Sequence, residues 1–235
     1  MNRVSGHTFF NRFVDQNSIV VDLGANIGRF SSEMARQYGC ACFAIEPNPE
    51  CFAQLRNFGN VKSFNIAIAD RTGQMRFFVA ANSEASSFTR TSESDREISV
   101  PAMRFDEFSA LHGLTRIDLL KVDVEGAEIE LLDSLSDSFL LGIGQVSVEF
   151  HDFCDLVSKD DVARIVSRFR SLGFLSINFS KESHGHEDHL FVNTQRCDVG
   201  KVEFWTTKYL TRNIFGLSRM VKRWSNRRPS VAKPA

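Results

Sequence analysis

The sequence predicts one α/β domain built on a mostly parallel sheet that helices cover on both faces. The first observation is the apolar run Ile19–Leu23, which leads into the turn Gly24–Gly28 and then into a helical repeat that stops at Gly39. The second is Cys40–Glu46, an apolar segment that ends in a carboxylate. Strand, glycine turn, helix and strand in this order are typical of the front half of a nucleotide-binding domain.

Composition agrees with a single packed domain. The chain has 235 residues, of which 43% are hydrophobic and 22 are Phe, so we expect a large aromatic core. The five Cys residues form no C-x-x-C pair, which indicates reduced thiols and neither a disulfide framework nor a zinc ribbon. The segment from Met1 to Phe13 lacks the apolar stretch of a signal peptide, and we expect a cytoplasmic protein.

The remaining elements follow from hydrophobic period and from turn residues. The predicted strands after the first two are Val61–Ala69, Gln74–Ala80 (an extra strand), Ile117–Val122, Gln145–Phe150, Phe174–Phe179 and His189–Val192. The predicted helices begin at Pro49 and Phe105 and then span Glu125–Leu135 and Asp160–Leu172, and the serine-rich residues 81–99 read as a long loop.

The glycine turn also bears on the cofactor. A dinucleotide fingerprint needs G-x-G-x-x-G, whereas here Ala25 and Asn26 stand where the middle glycine belongs. This disfavours a bulky pyrophosphate and favours a smaller cofactor such as S-adenosylmethionine. Glu46 lies where such folds place an acid on the ribose hydroxyls.

Ligands of open α/β sheets bind beyond the carboxyl ends of the strands. Five predicted strands end in polar or small residues, and we expect them to meet at one edge: Asp22 and Gly24–Gly28; Glu46 and Pro47; Asn65, Ala67 and Asp70; Lys121, Asp123, Glu125 and Gly126; Glu149 and His151. Taken singly, Asp22 could cap the turn, Lys121 and Glu128 could form a surface pair, and Asp123 could be a helix N-cap.

Four motifs resemble the FkbM-type methyltransferases. They are Asp22-Leu23-Gly24-Ala25-Asn26-Ile27-Gly28, Glu46-Pro47-Asn48-Pro49, Asn65-Ile66-Ala67 and Leu120-Lys121-Val122-Asp123-Val124-Glu125-Gly126-Ala127-Glu128. The resemblance covers roughly residues 18–194. It implies a Rossmann-like class I methyltransferase fold, with a mostly parallel seven-stranded sheet, an antiparallel last strand and an extra hairpin strand. It also implies S-adenosylmethionine as cofactor and O-methylation of sugars or polyketide-type natural products.

The resemblance further implies roles for residues of the motifs. Gly24, Asn26 and Gly28 would surround the methionine half of the cofactor, Glu46 would bind the ribose, and adenine would lie near Asn65–Ala67. The predicted cofactor-binding set is Asp22, Gly24, Ala25, Asn26, Gly28, Glu46, Pro47, Asn65, Ala67 and Asp123.

Methyl transfer to a hydroxyl also needs a proton acceptor. His151 is the first candidate because its ordinary pKa suits neutral pH, and Asp123 and Glu149 are the others. The alternative for His151 is a structural histidine at a strand end. A further alternative is that Asp123, Glu149 and His151 gather a divalent cation such as Mg²⁺, although no ligand spacing indicates one. His184–His189 has the pattern H-x-H-x-D-H of two-metal hydrolases, but its position favours a solvated turn.

Charge divides the chain into a body and a tail. Residues 201–235 hold nine Lys or Arg and one acid, whereas residues 1–200 hold 19 bases and 28 acids. We therefore divide the chain into an N-terminal helix over 1–17, a methyltransferase domain over 18–198 and a basic amphipathic tail over 199–235. The tail would dock on its own domain or contact an anionic membrane surface on the inner face, and nothing accompanies it that would read nucleic acid.

Three functions are compatible with these features. The leading hypothesis is an S-adenosylmethionine-dependent O-methyltransferase that acts on a saccharide, a glycolipid or a related natural product. The alternatives are a non-catalytic partner subunit that keeps the fold and an NAD-linked oxidoreductase, which the missing middle glycine disfavours. The sequence leaves the acceptor and the oligomeric state open.

Overall fold

A central seven-stranded sheet organises the structure, a computed structural model that describes residues 1–55, 59–79, 92, 94–151, 157–179 and 187–206. Its strands in chain order are β3 (Ile19–Leu23), β4 (Ala41–Ile45), β5 (Val61–Phe64), β9 (Ile117–Val122), β10 (Ile143–Phe150), β11 (Phe174–Asn178) and β12 (Glu187–Asn193). The other strands are β1 (Asn2–Val4), β2 (His7–Phe9), β6 (Ala67–Ala69), β7 (Gly73–Val79) and β8 (Arg96–Arg104).

Seven α-helices accompany these strands in the described ranges. They are α1 (Arg29–Tyr38), α2 (Pro49–Phe52), α3 (Phe105–Leu111), α4 (Glu128–Ser134), α5 (Asp137–Leu141), α6 (Lys159–Ser171) and α7 (Lys201–Thr206). The first of them ends as expected, because Gly39 adopts the left-handed conformation that stops a helix.

The predicted fold class is confirmed by the order of the strands. Across the central sheet the order is β11-β12-β10-β9-β3-β4-β5. The neighbours β10, β9, β3, β4 and β5 are parallel, whereas β12 runs antiparallel to both of its neighbours. From β3 the chain adds β4 and β5 on one side of the sheet, and later adds β9 and β10 on the other side. The carboxyl ends of β3 and β9 are therefore adjacent, at the switch point where open α/β sheets bind ligands.

A second sheet of three strands, in the order β6-β8-β7, corrects two of the predicted elements. Val61–Ala69 is not one strand, because β5 joins the central sheet while β6 pairs with β8. The expected loop over 81–99 is also too long, since Arg96 begins β8, which pairs antiparallel with β7. Pro101 weakens the strand signal in 96–104, because proline has no backbone N–H to donate to a neighbouring strand.

The N-terminal helix predicted over 1–17 is wrong. β1 and β2 form an antiparallel hairpin, and a short 3-10 helix over Asn11–Phe13 follows it. The hairpin packs on β10 and β12, and the Phe10 N–H donates to Gln145 Oε1 at 2.7 Å. Its turn, Ser5-Gly6, requires left-handed backbone at both residues, which a helix does not use.

Aromatic side chains fill the core, as the composition predicts. Phe105, Phe108, Phe150 and Phe169 are fully buried, and the ring of Phe169 stacks on that of Phe191 with centroids 4.2 Å apart. The helix predicted over Glu125–Leu135 begins three residues later, because Glu125 and Gly126 have positive φ angles that belong to a loop. This loop places the Lys-x-Asp-x-Glu block beside the glycine turn.

Two predicted features lie outside the described residues. One is most of the basic tail, of which only Val199 to Thr206 are described, including α7. The other is the first part of the histidine motif, His184–His186; its last two residues, Asp188 and His189, are buried in β12. Among the described helices, none has the length and apolar character needed to cross a membrane.

Candidate functional site

A cavity of about 410 Å³ opens beyond the carboxyl ends of β3, β4 and β9. This volume lies within the roughly 300–1,000 Å³ of small-molecule sites. Its floor and walls combine the glycine turn, the end of β4, the second sheet and the block after β9. Its lining residues include Ser5, Gly24, Ala25, Asn26, Arg29, Glu46, Pro47, Ala67, Phe77, Lys121, Asp123 and Glu125.

The glycine turn is held against the end of β4. The N–H groups of Gly24 and Ala25 both donate to the Ile45 carbonyl, at 3.1 and 3.0 Å. Gly24 has a φ of +75°, and a Cβ there would lie 1.8 Å from the Asp123 carbonyl oxygen. Only glycine therefore fits at position 24, where the chain after β3 passes the chain after β9. The close contact that requires it is with the backbone of Asp123 and not with a ligand.

Glu46 fixes the turn through its carboxylate. Oε2 accepts the Asn26 N–H at 2.7 Å and Oε1 accepts the Asn48 N–H at 2.8 Å. The side chain is 6% exposed, and this burial raises its pKa to about 7 in spite of the two backbone hydrogen bonds. Each oxygen keeps a second lone pair, so the carboxylate retains capacity to accept hydroxyl donors from the cavity.

Asn65 does not border the cavity but shapes it. Its amide donates to the carbonyls of Glu46 and Pro47, at 2.8 and 3.0 Å, and so ties the loop after β4 to the chain between β5 and β6. Ala67, the first residue of β6, does line the cavity, together with Phe77 of β7. The second sheet thus supplies an apolar wall in the place where adenine is expected.

Asp22 and Lys121 form a buried ion pair beneath the turn. Lys121 Nζ lies 3.0 Å from Asp22 Oδ1 and donates to the Gly24 carbonyl at 2.6 Å. Ser31 Oγ donates to the other oxygen of Asp22 at 2.6 Å. Asp22 is fully buried and does not line the cavity, so it supports the turn rather than contacting a cofactor. The surface pair of Lys121 with Glu128 is wrong, since both residues are buried.

Asp123 lies on the cavity wall. Its carboxylate is 3.4 Å from Lys121 Nζ and 3.6 Å from His7 Nε2, and these neighbours lower its pKa even though burial acts in the opposite direction. Asp123 precedes a loop rather than a helix, because α4 begins at Glu128, so the N-cap interpretation does not hold. The residue is held as a carboxylate at the edge of the site.

His151 is enclosed by acidic side chains. Nδ1 lies 2.8 Å from Glu128 Oε1, and Nε2 lies 3.1 Å from Glu125 Oε2. Burial alone would lower the pKa of His151, but the hydrogen bonds to Glu125 and Glu128 outweigh it and raise the pKa to about 11. An imidazolium cannot accept a proton at neutral pH. The structure therefore disfavours His151 as the general base and supports its structural interpretation.

We expect His151 to remain protonated throughout the neutral range. Its ¹⁵N chemical shifts should be those of an imidazolium from pH 6 to pH 9, assigned by comparison with the His151→Asn variant. His112, whose pKa is lowered by burial, is the internal reference and should be neutral in the upper part of this range, from pH 7.5 to pH 9. Because the His151 pKa is raised from 6.5 to about 11, its contribution to stability is complete below pH 6.5 and is lost as the pH rises through 11. A His151 titration midpoint near 6.5 would contradict this assignment.

Of the predicted cofactor-binding and catalytic residues, the structure brings seven to the cavity wall and leaves five away from it. Gly24, Ala25, Asn26, Glu46, Pro47, Ala67 and Asp123 line the cavity, whereas Asp22, Gly28, Asn65, Glu149 and His151 do not. Ser5, His7 and Phe77 were not predicted from the sequence. Ser5-Gly6 was readable as a hairpin turn between two short apolar runs, whereas no local signal places His7 beside Asp123.

The strand order and a cavity bordered by the glycine turn and the acid after β4 define a class I, Rossmann-like methyltransferase. The family model described as the methyltransferase FkbM domain matches residues 22–176. The chain belongs to the FkbM methyltransferase family and is an S-adenosylmethionine-dependent methyltransferase. The oxidoreductase alternative is thereby set aside.

Three relatives illustrate the range of the family. Methyltransferase 1 of Beauveria bassiana is 29% identical over 189 residues, which cover 67% of this chain and 72% of the relative. Hexuronic acid methyltransferase AglP of Haloferax volcanii is 26% identical, over 65% of this chain and 63% of its own length. The 31-O-demethyl-FK506 methyltransferase FkbM of Streptomyces tacrolimicus is 26% identical, over 75% and 77%. The match thus spans less than two thirds of AglP.

Among solved structures, a TehB-like methyltransferase from Corynebacterium glutamicum is similar in fold. The alignment covers 78% of this chain and 84% of that one, with a TM-score of 0.43 and 12% identity.

Proposed function

We propose that this protein transfers a methyl group to a hydroxyl of a saccharide, a glycolipid or a related natural product. The observation that carries the proposal is the Glu46 carboxylate, which borders a cavity of about 410 Å³ and has lone pairs available to a ribose diol. The acceptor class is supported by relatives that are named for hexuronic acid and for 31-O-demethyl-FK506.

The residues of the cavity fit S-adenosylmethionine. Glu46, Asp123 and Glu125 line it together with Arg29, while Lys121 pairs with the buried Asp22. The three acidic side chains can complement the positive charges of a sulfonium and an ammonium group. In this proposal Glu46 holds the ribose, the turn Gly24–Asn26 faces the methionine half, and Ala67 and Phe77 flank the adenine.

S-Adenosylmethionine supplies an activated methyl group on a sulfonium, so the protein mainly has to align an acceptor oxygen with it. The protein itself contributes the fixed turn Gly24–Gly28 and the carboxylate of Asp123, which follows the end of β9. Asp123 is the predicted base candidate that lines the cavity, and its proton affinity is low because Lys121 lies 3.4 Å away. We therefore assign to Asp123 the orientation of the acceptor hydroxyl by accepting its hydrogen bond.

The decisive experiment is calorimetric titration with S-adenosylhomocysteine, with NAD as the control ligand. Binding of the former alone supports the cofactor site and justifies a screen of glycan acceptors with a labelled methyl donor. Binding of NAD alone would contradict the site assignment. If S-adenosylhomocysteine binds and only amine acceptors are methylated, the O-methyl proposal is wrong while the cofactor site stands.

Affinity for S-adenosylhomocysteine should fall as the pH falls. Because the pKa of Glu46 is about 7, the carboxylate that accepts the ribose hydroxyls is lost below this pH. One titrating group with this pKa predicts that Kd rises about tenfold from pH 8 to pH 6. The Glu46→Gln variant should bind weakly at both pH values and show no such slope. Equal wild-type affinities at pH 6 and pH 8 would count against Glu46 as the ribose ligand.

A further inference from the structure

Arg29 lies on the wall of the cavity, directly after the glycine turn. It is the first residue of α1, its side chain is exposed, and it and Lys121 are the basic residues of the described cavity wall. Among the residues that the structure describes, no carboxylate forms an ion pair with Arg29. The cavity wall therefore carries a guanidinium that is not engaged with an acidic side chain.

The helix itself supplies no partner for this guanidinium. The first turn of α1 holds no acidic residue. Glu33 lies at the i+4 position, where ion pairs form along a helix surface, but its Oε1 accepts the Gln37 side-chain amide at 2.6 Å. Arg29 is therefore available to an anionic group of a ligand, because no ion pair with a described residue has to be broken first.

The other cations of the site are already paired. Lys121 Nζ lies 3.0 Å from Asp22 Oδ1 and 3.4 Å from Asp123 Oδ2, and His151 lies between two carboxylates in the same way. Each of these buried cations faces two acidic groups and so has no positive charge left over for a further anion. Within the described part of the site, Arg29 is the cation that remains for a ligand.

S-Adenosylmethionine brings one negative charge to such a site, the α-carboxylate of its methionine half. In the proposed arrangement this half lies against the turn Gly24–Asn26, whereas Ala67 and Phe77 flank the adenine. Arg29 follows Asn26 by three residues and lines the same cavity. A planar guanidinium donates two parallel hydrogen bonds to a carboxylate, so the chemistry of Arg29 matches this group.

We propose that Arg29 binds the α-carboxylate of the cofactor. The inference rests on the proposed placement of S-adenosylmethionine, and it adds a residue outside the predicted cofactor-binding set. Arg29 faces the carboxylate, while Asp123 and Glu125 are the acidic side chains available to the ammonium and sulfonium groups. An acceptor that carries a carboxylate is the competing ligand for Arg29, and the experiment distinguishes the two.

The test compares S-adenosylhomocysteine with its decarboxylated analogue, which keeps the adenosine, the thioether and the amino group, by calorimetric titration. The Arg29→Gln variant should bind S-adenosylhomocysteine about 10- to 100-fold more weakly than wild type, the range that charge-assisted hydrogen bonds contribute. It should not weaken binding of the decarboxylated analogue by more than about twofold. Arg29→Lys keeps the charge but not the planar fork, and it should lose less affinity than Arg29→Gln.

Arg36→Gln is the matched control. Arg36 is also exposed and belongs to α1, but it lies in the last turn and away from the cavity wall. This variant should bind both ligands as wild type does. All of the variants should unfold at the wild-type urea midpoint, because neither arginine forms an ion pair with a described residue.

Two outcomes overturn the inference while the cofactor site stands. If Arg29→Gln binds S-adenosylhomocysteine as tightly as wild type does, the anion that Arg29 binds belongs to another ligand, such as the acceptor. If affinity for both ligands falls by the same factor, Arg29 supports the shape of the turn and does not bind the carboxylate. Wild-type protein that binds neither ligand contradicts the proposed cofactor site as well, so failure of the inference is distinguished from failure of the site.

Discussion

Replacing Gly24 with Ala should abolish cofactor binding and destabilise the fold. The added Cβ would lie 1.8 Å from the Asp123 carbonyl oxygen and 2.9 Å from its carbon, both of which are backbone atoms that cannot rotate away. Either the turn or the loop after β9 must move, and both border the cavity. We expect at least about a 100-fold loss of S-adenosylhomocysteine affinity and a loss of about 3 kcal/mol or more in the free energy of unfolding.

Gly113→Ala separates the steric clash from the cost of backbone strain. Gly113 has a φ of +65°, close to that of Gly24, but a Cβ there meets no atom within 4 Å. This control should lose about 1 kcal/mol of stability and retain cofactor binding. Calorimetry and urea unfolding of both variants decide the matter. Equal effects of the two substitutions would mean that left-handed strain, rather than the approach to Asp123, explains why glycine is needed.

The sequence predicted the central sheet well because its strands are buried on both faces. The predicted range for β9, Ile117–Val122, matches the structure to the residue. Continuous apolar runs bounded by turns leave little ambiguity for such strands. The hairpin over residues 2–9 was not predicted, because its strands β1 and β2 have three residues each and carry too few alternations to show a period.

The candidate site was predicted in part, and for a physical reason. Topology places Gly24, Glu46 and Asp123 at one edge of the sheet, and all three line the cavity. Which of several polar side chains turns inward depends on partners that are distant in sequence, such as Lys121 with Asp22 or His151 with Glu128. His7 is the clearest example, because it meets Ser147, which lies 140 residues further along the chain.

The buried pair of Lys121 and Asp22 should account for a large part of the stability of the site. Replacing Lys121 with Met keeps the bulk of the side chain but removes the cation that pairs with the fully buried Asp22, which keeps its hydrogen bond from Ser31. Removal of one partner of a buried ion pair costs about 3–5 kcal/mol. The Gly24 carbonyl also loses its donor, so cofactor affinity should fall together with stability.

Two further variants make this prediction specific. The double variant Asp22→Asn, Lys121→Met removes the uncompensated charge and should recover a large part of the lost stability, because the cost lies in the unpaired carboxylate rather than in the missing attraction. Arg164→Met breaks an exposed ion pair with Asp133 and should change the urea midpoint little. If Lys121→Met unfolds at the wild-type urea concentration, the pair does not support the turn. If the double variant regains stability but not cofactor affinity, then the bond from Lys121 to the Gly24 carbonyl is what holds the turn in its binding conformation, and charge balance is a separate contribution to the fold.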